Sequence, residues 1–263
     1  MDWIPVLWAL GVLGAMGLAF GVMLTVADKK LAVETDPRIA KVREALGGAN
    51  CGACGFAGCD AFAEALVEGK VLPNGCPVGS AAAIGQAAGI AVEEGEKLVA
   101  RVICQGHEGV VKERYEYDGY ASCTVAAGIA GGPKRCSYSC LGLGDCARAC
   151  AFGAITMDNG LARIDPRLCV ACGLCVDACP RNVIRLEPTE AKVLVLCRNR
   201  DTGRVARETC MTACIACGRC VKECRYDAIH VENGFARIDQ DKCTRCGDCV
   251  KVCPCNCITI FDN

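Results

Sequence analysis

Aromatic side chains are scarce in this 263-residue chain, with two Trp, five Tyr and six Phe. A core built on large rings is therefore thin, and small domains of such composition are stapled by something other than hydrophobic burial. Only two histidines occur, His107 and His230, and neither has a ligand or catalytic partner near it in sequence. Both read as ordinary loop and strand residues. Excess charge of one sign is also missing. The 29 basic and 30 acidic residues leave a formal net charge of −1, which offers nucleic acid no footprint. No glycine-rich phosphate loop follows a strand and no nucleophile sits beside a base, so no catalytic residue is expected.

Charge is absent altogether from Trp3 to Ala27, between Asp2 and Asp28. As a helix this run would be ~37 Å long, enough to cross a hydrocarbon layer of ~30 Å with some tilt. A cleaved signal peptide would carry positive charge ahead of a shorter apolar run, whereas Lys29 and Lys30 follow it. The run is expected to be a retained single span in the lipid of the cytoplasmic membrane, with the remainder of the chain on the cytoplasmic side. Gly17 and Gly21 form a GxxxG pair, which is compatible with close helix approach and equally with ordinary glycine tolerance. A single span forms no channel by itself.

What the chain has in abundance is cysteine, 26 residues, and glycine, 30. Cysteine at this level means disulfides, zinc or iron–sulfur clusters. A reducing cytoplasm disfavours structural disulfides, which leaves metal.

The cysteines recur. Cys136, Cys140, Cys146, Cys150, Cys169, Cys172, Cys175 and Cys179 each have a counterpart 74 residues later, from Cys210 to Cys253, and about half of residues 150–180 are identical to 224–254. The unit is duplicated. Within it, Cys169-x2-Cys172-x2-Cys175-x3-Cys179-Pro180 is a bacterial ferredoxin run, repeated as Cys243-x2-Cys246-x2-Cys249-x3-Cys253-Pro254. Cys214-x2-Cys217-x2-Cys220-x3-Cys224 is a third copy without the proline. Three closely spaced thiols can face three irons of a cubane, while the fourth ligates the neighbouring cluster. Zinc prefers two CxxC pairs across a longer loop. Gly173, Gly218 and Gly247 let backbone N–H groups approach the cluster sulfurs.

Crossing the fourth ligands predicts four [4Fe–4S] sites. Cys214, Cys217 and Cys220 take Cys253; Cys243, Cys246 and Cys249 take Cys224; Cys169, Cys172 and Cys175 take Cys150. The last site is irregular, because Leu143 stands where Cys217 would match. Cys136 is the nearest spare thiol, giving Cys136, Cys140, Cys146 and Cys179, and leaving its counterpart Cys210 without an iron to bind. Cys51-x2-Cys54-x4-Cys59-x16-Cys76 adds a fifth set in a glycine-rich stretch, for which spacing alone also admits zinc. Cys104, Cys123, Cys197, Cys210, Cys255 and Cys257 are expected to be buried structural thiols. Five oxidised clusters, each summing to −2 with its thiolates, would take the protein to roughly −11.

The order of parts carries a resemblance. One amino-terminal span precedes Cys51-Gly52-Ala53-Cys54-Gly55-Phe56-Ala57-Gly58-Cys59 and a distant Cys76-Pro77. Then comes Gly131-Gly132-Pro133-Lys134-Arg135-Cys136-Ser137-Tyr138-Ser139-Cys140, continued as Leu141-Gly142-Leu143-Gly144-Asp145-Cys146. Over essentially its whole length the chain resembles the B subunit of the Rnf complex. That resemblance implies an iron–sulfur subunit of a membrane ferredoxin:NAD⁺ oxidoreductase that moves Na⁺ or H⁺. It implies soluble ferredoxin as donor, membrane and peripheral Rnf subunits as partners, and a [4Fe–4S] cluster on Cys51, Cys54, Cys59 and Cys76. Rival readings are the iron–sulfur subunit of another membrane dehydrogenase, such as a formate dehydrogenase, and a related Rsx-type system that keeps a transcription factor reduced.

The expected fold class is α+β. Residues 1–28 form the anchor and 29–92 a small [4Fe–4S] domain. Residues 93–180 form a strand-containing linker with one two-cluster ferredoxin-like unit, and 181–263 a second unit. Residues 181–207 carry Arg181, Arg185, Lys192, Arg198, Arg200, Arg204 and Arg207 against Glu187, Glu190 and Asp201. They are expected either to be a solvated linker or to steer an acidic ferredoxin.

Overall fold

The computed structural model describes residues 3–31, 36–92, 95–191 and 193–261. Residue 93, an expected domain boundary, and Lys192 of the basic stretch lie outside them. Helix α1 (Ile4–Leu31) would span about 42 Å at 1.5 Å per residue. Its Leu10–Ala27 window has a mean hydropathy of 2.1 and buries nothing against the rest of the protein. It is the one helix, among the described residues, long and apolar enough to cross a membrane.

The small domain is a three-helix knot. Helix α2 (Pro37–Ala45) starts with proline at its first turn, and the Asp36 carboxylate accepts the Arg38 N–H at 2.8 Å. Helix α3 (Cys59–Val67) begins at the last cysteine of the glycine-rich loop, whose Asn50 side chain accepts the Cys59 N–H at 2.9 Å. A 3-10 turn (Pro73–Gly75) leads to Cys76. Helix α4 (Ala81–Ala88), for which the sequence showed no period, is capped by the Ser80 hydroxyl and closed by left-handed Gly89. Val42, Leu46, Phe62, Leu66 and Ile84 form its core, with Cys54, Cys59 and Cys76 packed on the edge.

The first ferredoxin-like unit runs β1 (Leu98–Val102), α5 (Cys123–Gly128), α6 (Asp145–Ala149), β2 (Ile155–Asp158), β3 (Leu161–Ile164), α7 (Leu174–Asp177) and β4 (Ile184–Pro188). The second runs β5 (Val193–Val195), α8 (Gly203–Thr209), α9 (Arg219–Glu223), β6 (Ile229–Glu232), β7 (Phe235–Ile238), α10 (Asp248–Lys251) and β8 (Ile258–Ile260). In each, a hairpin turns on Asn-Gly, with Asn159, Gly160, Asn233 and Gly234 all at positive φ, as a two-residue turn matched to strand twist requires.

A second antiparallel ladder closes each unit, β1 on β4 and β5 on β8. Because β1 pairs with β4, the first unit extends through Pro188, past the boundary expected at 180. The two ladders are equivalent. Val102 pairs with Ile184 and Val195 pairs with Ile258, while Ile184 and Ile258 are related by the 74-residue repeat. The units pack directly on one another. The Gln105 amide donates to the Thr259 hydroxyl at 2.8 Å, Ile103 packs with Leu194 and Leu196, and Val111 bridges to Cys210.

Candidate iron–sulfur centres

The four short helices α6, α7, α9 and α10 hold the cluster loops. Each starts at a glycine in the left-handed region, Gly144, Gly173, Gly218 or Gly247. The chain thereby reverses at once and turns its backbone N–H groups back onto the thiols. Each helix carries one buried thiol ringed by three others. Burial first, then the charges of Cys169, Cys172 and Cys150, push Cys175 up to about 11. Burial and Cys214, Cys217 and Cys253 do the same for Cys220, also to about 11. Cys249 is raised to about 11 by burial and by its neighbours, Cys243, Cys246 and Cys224 among them. The expected ligand sets of these three sites are therefore brought together, crossed fourth thiols included.

The fourth site differs from its expectation. Burial and the charges of Cys140, Cys123 and Cys179 raise Cys146 to about 12, and the cavity there is lined by Cys123, Cys140, Cys146 and Cys179. Cys136 is not part of it. The loop keeps the shape of its repeat partner, since Gly142 and Gly144 take the left-handed positions of Ala216 and Gly218. Leu143 nevertheless offers no thiol. Cys123, on the first turn of α5, supplies one instead, and Asp145 sets it there. Its carboxylate accepts the Thr124 N–H and the Ser122 hydroxyl, both at 3.0 Å. The available signal was bookkeeping. Residues 105–135 of the first unit are much longer than their counterpart 198–209, and they contain one cysteine where one loop thiol is lost.

Cys51, Cys54 and Cys59 lie in the glycine-rich loop of the small domain, and Cys76 follows the 3-10 turn, where the Gly79 N–H donates to its Sγ at 3.4 Å. The Cys172 thiol of the first unit is raised first by burial and also by the charge of Cys51. His107 and His230 hydrogen-bond to main chain at Glu108 and Asp227, and neither lines any of these thiol cavities. Cys255 and Cys257 are buried. Cys257 Sγ sits 3.5 Å from Cys253 Sγ, and its contacts with Cys214 and Cys253 lower both thiols.

The donor set fits [4Fe–4S] clusters. No group of three or more His, Cys, Asp or Glu side chains among the described residues is gathered for a single metal ion. The four ferredoxin-type thiol rings instead line four partly open cavities of similar size, each with at least four cysteines around it. Backbone N–H groups of Ala100, Ala228 and Ala236 donate to Cys169, Cys224 and Cys214, each at 3.4 Å. Three guanidinium nitrogens, Nε of Arg101, Arg181 and Arg198, are buried without a partner. Burial lowers all three guanidinium pKa values, and nearby thiols oppose it: Cys169 for Arg101, Cys136 and Cys179 for Arg181, Cys179 for Arg198. Buried cations of this kind are what anionic clusters require.

The same observation dissolves residues 181–207 as one docking face. Arg181 donates to the Gly131 and Ser137 carbonyls and Arg198 to the Asn182 carbonyl, so both serve the interior. Arg200, Arg204 and Arg207 are exposed, and Arg204 pairs with Glu208.

Family comparisons agree with this reading. An Fe-S cluster domain matches residues 46–78, a 4Fe-4S binding domain residues 162–185 and a 4Fe-4S dicluster domain residues 213–257. The chain is 48% identical to the B subunit of the Na(+)-translocating ferredoxin:NAD(+) oxidoreductase complex of Acetobacterium woodii, over 97% of this chain and 78% of that protein. It is 44% identical to the B subunit of the ion-translocating oxidoreductase complex of Methanosarcina acetivorans, over 89% and 90% respectively. With the B subunit of the proton-translocating ferredoxin:NAD(+) oxidoreductase complex of Clostridium ljungdahlii it shares 41% identity, over 90% and 86%.

Tandem ferredoxin-like units behind an apolar helix define a membrane-associated, multi-cluster iron–sulfur protein whose work is electron transfer. Its relatives narrow this further. The chain belongs to the family of B subunits of ion-translocating ferredoxin:NAD⁺ oxidoreductase complexes, the Rnf complexes, and other subunits of such a complex are its partners.

Proposed function

We propose that this subunit accepts electrons from reduced ferredoxin at its second ferredoxin-like unit and passes them, through the first unit and the small domain, to membrane partners. Those partners reduce NAD⁺ and move Na⁺ or H⁺. Relatives named for either ion match at 41–48% identity, and one helix cannot enclose a pore, so ion choice belongs to the partners. In this reading α1 is a single span, fixed in lipid with Lys29 and Lys30 on the cytoplasmic side together with all cluster domains. The ferredoxin motifs and the small domain would hold five clusters. Their ligands are Cys51, Cys54, Cys59 and Cys76; Cys150, Cys169, Cys172 and Cys175; Cys123, Cys140, Cys146 and Cys179; Cys214, Cys217, Cys220 and Cys253; and Cys224, Cys243, Cys246 and Cys249. Bound there, a [4Fe–4S] cluster supplies one-electron redox chemistry. The protein holds each thiol set, excludes water and counters the charge.

The observation that carries the entry point is a difference between the repeats. Around its cluster loops the second unit places exposed Arg219, Arg225, Lys242 and Arg245. At the same repeat positions the first unit has Asp145, Ala151, Leu168 and Ala171. Both units hold two clusters, so countering cluster charge does not account for the difference. The exposed thiols among the described residues, Cys217 and Cys246, lie in these same loops, which also carry Arg219 and Arg225, while Lys242 and Arg245 pair with Asp227 and Glu190. An acidic one-electron donor fits that surface, and steering by such a patch raises association rates by roughly 10–1000-fold at low salt.

Reversing Arg219→Glu and Arg225→Glu should slow electron uptake from reduced ferredoxin about tenfold at low ionic strength. The variant should converge on wild type at high salt and keep its iron. Stopped-flow oxidation of ferredoxin by the detergent-solubilised chain measures this. An unchanged low-salt rate would remove the second unit as the entry point.

A further inference from the structure

The structure brings together four cysteines that no ferredoxin motif contains. Cys104 and Cys197 each follow a ladder end by two residues, Cys104 after Val102 and Cys197 after Val195, and those ends are equivalent in the two units. Cys136 and Cys210 are equivalent through the 74-residue repeat. All four line one cavity between the units. Its empty volume, about 310 Å³, is close to those of the ferredoxin-type sites. Cys104, Cys136 and Cys210 are buried and Cys197 is half-buried.

We propose that Cys104, Cys136, Cys197 and Cys210 bind a sixth [4Fe–4S] cluster that bridges the two ferredoxin-like units. The four thiols are two equivalent pairs, one member of each pair from each unit, so the duplicated chain builds the site between its halves. Four thiols from two units converging on one cavity is not how scattered structural cysteines pack. The sulfurs are met by polar groups. Gly106 N–H donates to Cys104 Sγ at 3.2 Å, and the Asn199 amide, 1% exposed, faces Cys136 Sγ at 3.7 Å. The Thr212 hydroxyl lies 3.5 Å from Cys210 Sγ.

The site also touches a proposed ligand of each adjoining site, by equivalent contacts. Cys140 N–H donates to Cys104 Sγ at 3.5 Å, and Cys214 N–H donates to Cys197 Sγ at 3.2 Å. Residues 140 and 214 are repeat partners. A cluster held there would supply one-electron relay between the Cys214-side and Cys140-side sites, each cycling between the 2+ and 1+ states with no covalent bond or proton changing place. This inference rests on the cluster reading of the thiol sites and not on the identity of the donor.

Iron and acid-labile sulfide in the anaerobically loaded full-length chain should each come to about 24 per chain, four for each of six clusters, and native mass spectrometry should count the clusters directly. About 20, or stoichiometric zinc beside five clusters, would overturn the proposal. The double variant Cys136→Ser/Cys210→Ser should hold about 20 iron atoms and lose one component of the Mössbauer and EPR spectra. A variant that keeps the full wild-type iron would also overturn it. Should that variant not fold, the wild-type count alone decides. Ferredoxin oxidation is read separately. A chain with about 24 iron atoms that takes no electrons from ferredoxin refutes the donor and leaves the bridge standing, and one with about 20 that takes them does the reverse.

Discussion

At the scale of single residues, two side chains next to the cluster loops do more than pack. Burial opposes ionisation of Asp145, yet hydrogen bonds from Thr124, Cys123 and Ser122 outweigh it and hold the carboxyl below its ordinary 3.8. A depressed folded pKa contributes stability that is present above the unfolded value and is lost as pH falls through the folded one. The anchoring of Cys123 should therefore weaken below about pH 4. Asp145→Ala should cost about 1–3 kcal/mol at neutral pH and make one cluster labile, seen as faster release of four irons to a chelator. Cys257 is the other case. It stands where the first unit has Val183, and 3.5 Å from Cys253 Sγ its single S–H is the donor once Cys253 is a thiolate. Donors to ligand sulfurs favour the more negative, reduced cluster. Cys257→Val should lower that cluster's midpoint potential, on the order of tens of millivolts, with iron content unchanged, in an EPR-monitored titration.

At the scale of elements, the irregular loop of the first unit is held by its contact with the β2–β3 hairpin. Gly142 has φ +82°, and a Cβ there would stand 2.4 Å from the Gly160 carbonyl oxygen. The Lys134 ammonium, on a side chain buried to 3% exposure, donates to that same carbonyl at 2.7 Å and to Gly106 at 2.8 Å. It joins the loop, the hairpin and the strand end that carries Cys104. Gly142→Ala should destabilise the first unit by about 3–5 kcal/mol, through both the backbone conformation and the clash. The loss should appear as a lower denaturant midpoint confined to the first unit, with the second unit's clusters retained.

At the scale of the whole molecule, α1 buries none of its apolar window against the cluster domains, whereas the two ferredoxin-like units pack on one another. Removal of residues 1–35 should give a detergent-free soluble protein with the iron content of the full chain, because the segment has no cysteine and none of its described residues belongs to a core. Its ferredoxin oxidation should persist, while delivery to the membrane partners should fail. Iron analysis and a membrane-reconstituted NAD⁺ reduction assay test the two halves of that expectation.

Three thiols within seven residues stay close whatever surrounds them, so the gathering of Cys169–Cys175, Cys214–Cys220 and Cys243–Cys249 was legible from spacing alone. The apolar run of α1 and the duplication were legible for the same reason, since each is a short-range or directly repeated pattern. Helix α4 and the extension of the first unit to Pro188 were not, because neither carries local periodicity and the second depends on β4 finding β1. The placement of Cys123 and the convergence of Cys104, Cys136, Cys197 and Cys210 were decided only by tertiary structure. These thiols are separated by long stretches of chain, and no spacing rule joins them. Equivalent strand ends and equivalent loops bring them together once the two units pack face to face.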